Sequence, residues 1–127
     1  MPLNDEVRVR HLAEAASKAV SYAAGRSRAD LDDDELLRLA LTKLIEIVGE
    51  AAKHISDDLR KSHPEVPWSA ASRMRDRLIH HYFDINLDVL WGTVTDDLPR
   101  LLAILPDDLT ADGSAPMAPD RRRIDEQ

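Results

Sequence analysis

A chain of 127 residues with no cysteine has room for one domain with a modest core, and it excludes a disulfide scaffold or a thiolate metal site. Its net charge of −7, from 24 acidic against 17 basic residues, argues against a non-specific nucleic-acid coat but leaves room for a nucleic-acid enzyme with a local basic site. With 43% hydrophobic residues, no apolar run near the ~20 residues of a membrane span and a charged N-terminal stretch, a soluble cytoplasmic protein without a membrane partner or signal peptide is expected.

Helix signals dominate, and sustained period-two alternation is missing. From about Asp5 to Ala24, Leu12, Ala15, Ala16, Ala19, Val20 and Ala23 recur at spacings of three and four and predict a first helix. Gly25 is placed to cap its C-terminus. The acidic run Asp30, Asp32, Asp33, Asp34, Glu35 suits the positive end of a following helix. Leu37, Leu41, Leu44, Val48, Ala51 and Ile55 then alternate spacings of four and three, the seam of a bundle helix. Ser56 to Ser62 predicts a turn or short helix, and His63-Pro64-Glu65-Val66-Pro67 a loop, since each proline restrains the residue before it.

A third helix is expected from Trp68 to about Tyr82, with a break at Asp84 to Asn86. A fourth carries Leu87, Leu90, Trp91, Val94, Leu98, Leu101 and Leu105; Pro99 must kink it or open a new helix. From Pro106 the composition turns to Pro, Asp, Ala, Gly and Ser. The expected fold is therefore all-α, an up-and-down four-helix bundle over residues 1–105 with short extra turns, followed by a disordered tail over 106–127.

Chemistry concentrates in the third helix. An amphipathic helix needs Met74, Leu78 and Ile79, but it does not need Arg73, Arg75, Asp76, Arg77, His80, His81 and Tyr82 crowded among them. The plainer reading is a solvated charged face. Spacing favours a site. Asp76 and His80 are four apart, so on a helix the carboxylate could orient the imidazole and raise its pKa toward proton-transfer use. Arg75 and Tyr82, seven apart, would share a face. Arg75 and His80 are five apart, roughly 140° around an ideal helix. One straight helix does not bring both onto one small ligand: the helix deforms, the arginine wraps, or two chains share the site.

Arg75-x-x-x-x-His80-x-Tyr82 resembles the R-x(4–6)-H-x-Y motif of HepT toxins in the HEPN superfamily, with Asp76 in the polar position after the arginine. The stretches from Leu44 to Ala52, His63 to Trp68, Met74 to Phe83 and Asp97-Leu98-Pro99 resemble that family in the same order, over about residues 5–105. The resemblance implies a HEPN-like bundle and a homodimer with a composite cleft. It implies a metal-independent RNA endonuclease without a cofactor, its catalysis carried by Arg75 and His80. It further implies the toxin of a type VII toxin–antitoxin system, partnered by an MNT-type nucleotidyltransferase antitoxin that adenylylates the motif tyrosine, here Tyr82. Many relatives carry asparagine after the arginine; Asp76 departs from that and adds negative charge where RNA must approach.

Glu46 and Glu50 interrupt the seam of the second long helix beside Gly49, where backbones can approach closely, and either line the cleft or face solvent. Arg77 and His81 are further candidates for the cleft, His81 as an auxiliary at most. His54 follows Glu50 at i+4, but the Glu-x-x-His spacing of a di-iron bundle is missing, so a surface pair is expected and no metal site. No Gly-rich phosphate loop is present, so the chain is not itself a nucleotidyltransferase. A second reading, from another class, is a non-catalytic HEPN module that binds and assists a partner nucleotidyltransferase; the intact Arg75 and His80 argue against it.

Overall fold

The computed structural model describes residues 3–81 and 84–110. Helix α1 (Leu3–Ala23) buries Leu12, Ala15, Ala16, Ala19 and Ala23, and the chain leaves it through Gly25 at φ 76°, the left-handed region that glycine enters without a Cβ clash. Short α2 (Asp30–Asp33) follows, and Asp34 caps α3 (Glu35–Lys53) by accepting the Leu37 N–H at 3.0 Å. All six residues of the expected seam, from Leu37 to Ile55, are buried.

Arg26 binds both Asp34 (2.8 Å) and Asp30 (3.2 Å) at this corner. The Asp30 carboxyl is held below the ordinary range by the Ser27 amide and then Arg26, that of Asp34 by Arg26 and then the Leu37 amide. A depressed carboxyl favours the fold at neutral pH, and its contribution fades as pH falls through the carboxylate range; exposure keeps it small.

Helix α4 (Asp57–Ser62) starts at Ser56, whose hydroxyl accepts the Leu59 N–H. Sequence patterning gave no sign of its anchor. Asp5, only 1% exposed, accepts from the Ser56 N–H at 3.0 Å and the Ser56 hydroxyl at 2.6 Å, tying the start of α1 to the end of the α3–α4 turn. Deleting one partner of a buried pair leaves the other unsatisfied at a cost of about 1–3 kcal/mol. Asp5→Ala is therefore expected to lower the urea midpoint with an unchanged slope; an unmoved midpoint would show that the contact carries no stability.

The third rod departs from expectation. It is two short helices, α5 (Trp68–Ser72) and α6 (Met74–Leu78), with a tight turn at Arg73, and it ends at Leu78 rather than near Tyr82. Ile79 is extended (φ −104°, ψ 114°), and β1 (Ile79–His81) pairs antiparallel with β2 (Asp84–Ile85), Ile79 opposite Ile85 and His81 opposite Asp84. The cause is local. Ile79-His80-His81-Tyr82-Phe83 is a β-branched and aromatic run that favours extended backbone over helix, although Met74, Leu78 and Ile79 satisfy the helical period. The Asn86 N–H closes the ribbon on the Leu78 carbonyl at 2.7 Å, and the Asn86 side chain caps α7 (Leu87–Gly92) through the Val89 N–H.

The fourth rod runs from α7 through one wide π-helical turn (Thr93–Asp97) into α8 (Leu98–Ile104), burying Leu90, Val94, Leu98 and Leu101. Pro99 follows the π turn directly, where the backbone stays helical through Asp97 (φ −69°, ψ −44°) and Leu98 (φ −67°, ψ −43°), so the rod widens rather than breaks at the proline. The hydroxyls of Thr93 and Thr95 return hydrogen bonds to the Val89 and Trp91 carbonyls across the wide turn.

The four rods close an all-α bundle: α1 lies between α3 and α8, and α3 between α1 and the α5–α6 rod. Helix α9 (Asp107–Thr110) packs on α1 with Leu109 buried, so the first residues placed in the tail belong to the body of the bundle. The rest of the expected tail, 111–127, lies outside the described residues. Among the described residues no helix is long and apolar enough to cross a membrane.

Candidate active site

Gly49 of α3 is buried at the crossing with α5, and a Cβ there would lie 3.4 Å from the Ser72 carbonyl oxygen and 3.6 Å from that of Ala71. Both are ordinary van der Waals distances, and α6 follows directly from α5 along the flank of α3. Arg75 of α6 thereby reaches Glu46, one turn before Gly49: its Nε donates to Glu46 Oε2 at 3.3 Å across 29 residues of sequence. Glu46 Oε1 also lies 3.7 Å from Lys43 Nζ. Lys43, Glu46, Ile47, Glu50 and Arg75 line one open depression of about 420 Å³.

Both glutamates therefore line a polar depression, but only Glu46 engages the arginine. Glu50 pairs with His54 at 3.6 Å, the surface pair expected from their spacing. Lys43 was not singled out by sequence reasoning, although it stands three residues before Glu46 on the same face of α3. Arg77 lies on the opposite flank of α6, where it donates to Asp97 of the π turn at 3.4 Å. It lines a second depression, between α6 and α8, and not the one that holds Arg75. Among the described residues no three His, Cys, Asp or Glu side chains gather around a common point that could hold a metal ion.

The end of α6 at Leu78 changes the geometry of the motif. Asp76 and His80 do not share a helical face, because His80 is in β1. Asp76 is instead three-quarters exposed, its Oδ1 3.8 Å from Arg75 Nη1. The angle of roughly 140° between Arg75 and His80 belongs to a helix that is not formed there, so the case for a shared site that rested on it falls. Of the alternatives weighed for Arg75 and His80, the structure adopts the deformed helix. The side chains of His80 and His81 and the whole of Tyr82 lie outside the described residues; the backbone of His80 is two residues past the end of α6.

An all-α bundle of four rods is the fold class of a HEPN-type domain. The sequence profile described as Ribonuclease HepT-like matches residues 12–107, and the chain belongs to that family. It is 47% identical over 68 residues to "Probable ribonuclease HepT" of Thermococcus cleftensis, a match covering 54% of this chain and 62% of that protein. It is 33% identical over 93 residues to a "Putative RNase" of Caldanaerobacter subterraneus, covering 73% of this chain and 83% of that protein. A "Putative RNase" of Methanocaldococcus jannaschii is 32% identical over 88 residues, 69% of this chain and 81% of that protein. The chain thus spans less than two thirds of the first of these relatives and more than two thirds of the others. No solved structure gives a significant match.

Proposed function

We propose that the chain is a metal-independent RNA endonuclease, the toxin of a type VII toxin–antitoxin pair, acting in the cytoplasm as a homodimer. The observation that carries this reading is the placing of Arg75 at an open polar depression, with His80 five residues on in β1, inside a HepT-like domain. RNA brings its own nucleophile, the 2′-hydroxyl. A base takes the 2′-hydroxyl proton, the 2′-oxygen attacks the adjacent phosphorus, and the 5′-oxygen leaves with a proton from an acid. The products are a 2′,3′-cyclic phosphate and a 5′-hydroxyl end. A histidine can fill either proton-transfer role, and the Arg75 guanidinium matches the oxygens of the phosphate on which charge develops. Asp76 acts on Arg75 as an auxiliary, through the 3.8 Å approach of their charges. His81 stands beside His80 in β1 as a further auxiliary candidate.

One chain supplies a single His80, whereas the reaction uses a base and an acid; two chains supply both. The proposed pairing runs through the α5–α6 and α7–α8 rods. A depression of about 320 Å³ between them is lined by Pro67, Ala70, Met74, Leu101 and Ile104 together with the charged Arg77, Asp97 and Arg100, an apolar floor with a polar rim for a second copy. Light scattering at micromolar concentration is expected to give twice the 14.3 kDa chain mass. A mass of one chain would sink the shared site.

Silencing is proposed to come from an MNT-type nucleotidyltransferase antitoxin that moves an adenylyl group from ATP to the Tyr82 hydroxyl. The phenolic oxygen displaces pyrophosphate at the α-phosphorus. The test of the whole reading is incubation of purified protein with total RNA and EDTA beside a His80→Ala control. Intact RNA in both tubes, and also with magnesium in place of EDTA, would favour a non-catalytic HEPN module that assists its partner.

A further inference from the structure

Glu46 contributes its two oxygens to two different cations. Oε2 accepts from Arg75 Nε at 3.3 Å, and Oε1 lies 3.7 Å from Lys43 Nζ. Both cations and the carboxylate line the same open depression. The anchor is also more covered than what it anchors: the Glu46 side chain is 35% exposed against 50% for Arg75 and 70% for Lys43. The contact is not a chance of helical spacing, because it joins α3 to α6 across 29 residues of sequence.

Which nitrogens remain available decides what the arrangement can bind. Glu46 takes the Nε–H, the hydrogen nearest the side-chain stem. Nη1 has Asp76 at 3.8 Å, beyond hydrogen-bond length, and Nη2 has no hydrogen-bond partner among the described residues. Among the described residues the terminal fork of the guanidinium, the part that matches two phosphate oxygens, has only the long ion pair to the exposed Asp76.

We propose that Glu46 is a positioning residue that bridges Lys43 and Arg75 into a two-cation cradle for one RNA phosphate. The role rests on the nuclease reading above. It also carries a sign opposite to simple electrostatics. Removing a carboxylate makes the depression more positive, which by itself tightens binding of a polyanion. Releasing two long, flexible cations loosens it, because each must then be ordered by the ligand.

Fluorescence anisotropy with a short 2′-O-methyl RNA, whose nucleophile is blocked, separates the two without cleavage. Glu46→Ala is expected to weaken binding by about three- to tenfold, against the electrostatic trend. Glu46→Gln, which keeps a neutral acceptor for the Arg75 Nε–H, falls between. Lys43→Ala also weakens binding and makes its salt dependence shallower by about one phosphate contact. On cleavable RNA, Glu46→Ala lowers kcat without moving the pH profile, since no proton-transfer group is touched.

Tighter or unchanged binding by Glu46→Ala, or by Glu46→Gln if the alanine variant does not fold, overturns the cradle. Cleavage by the wild-type protein would still leave the nuclease reading standing in that case. If the affinities follow the expected order yet the wild-type protein leaves total RNA intact, the cradle stands and the nuclease reading falls. Wild-type protein with no affinity for the oligomer overturns the cradle outright.

Discussion

Replacing His80 or Arg75 by alanine is expected to lower RNA cleavage by about 10²–10⁴-fold each, with unchanged helical content. His80 follows the end of α6 by two residues, in a ribbon fixed by the hydrogen bond from the Asn86 N–H to the Leu78 carbonyl at 2.7 Å. Its loss removes a proton-transfer group and leaves that backbone anchor in place. Arg75 is half exposed and makes its described contacts at the rim of an open depression, so truncating it removes a charge without opening the core. The two variants should nevertheless differ. His80→Ala should bind uncleavable RNA nearly as wild type does, whereas Arg75→Ala should bind it more weakly and with a shallower salt slope. Cleavage by the wild-type protein should persist in EDTA, because the chemistry asks only for a base, an acid and a cation at the phosphate. Cleavage that stops in EDTA, or that survives in His80→Ala, would refute the mechanism.

Legibility along the chain followed the length and consistency of the signal. The α3 seam was readable because six apolar residues keep alternating spacings of four and three over five turns, and all six are buried. The α1 stripe and its Gly25 exit were readable for the same reason. The end of α6 was not, because two rules disagreed there. Met74, Leu78 and Ile79 keep the helical period, while Ile79 to Phe83 carries the composition of a strand, and the strand preference prevails at Ile79. A short ribbon needs only a few such residues, too few to reveal alternation in sequence. That single misread turn governed every angular argument about the motif, including the pairing of Asp76 with His80.

The candidate site was half legible. Polar crowding marked the Arg73 to Tyr82 stretch and raised the suspicion about Glu46, whereas the choice of Arg75 among three arginines came from the resemblance to the HepT motif. The contact between Arg75 and Glu46 spans 29 residues and depends on the packing of α6 against α3, which no local pattern encodes. Asp5 was invisible for a similar reason: its burial against Ser56 is set by the packing of α1 on the α3–α4 turn, 51 residues away in sequence. α9 was missed because proline and aspartate after Leu105 read as tail composition, although both also suit the first turn of a short helix.

Tyr82→Phe is expected to keep full activity on RNA and to escape silencing by an active antitoxin completely. Tyr82 lies outside the described residues, so the expectation stands on chemistry and on its place in the chain. It follows His80 by two residues, directly after β1, so a group attached to it starts close to the backbone that carries the proposed base and acid. Phenol loses its proton near pH 10, which makes it a poor proton-transfer group at neutrality, and removing the hydroxyl should leave cleavage untouched. An adenylate on that oxygen adds a bulky stackable base and a negatively charged phosphate. Arg75, whose terminal nitrogens make no hydrogen bond among the described residues, would then take the adenylate phosphate in place of RNA, as arginines capture other phosphorylated side chains. Mass spectrometry of wild-type protein co-expressed with the antitoxin should show adenylate-sized additions on the peptide containing Tyr82, and none in Tyr82→Phe. Growth arrest should follow the same pattern: relieved by the antitoxin for wild type, persistent for Tyr82→Phe. A folded Tyr82→Phe protein that fails to cut RNA would instead give the hydroxyl a role in catalysis or substrate binding, and the switch would have to be sought at another residue.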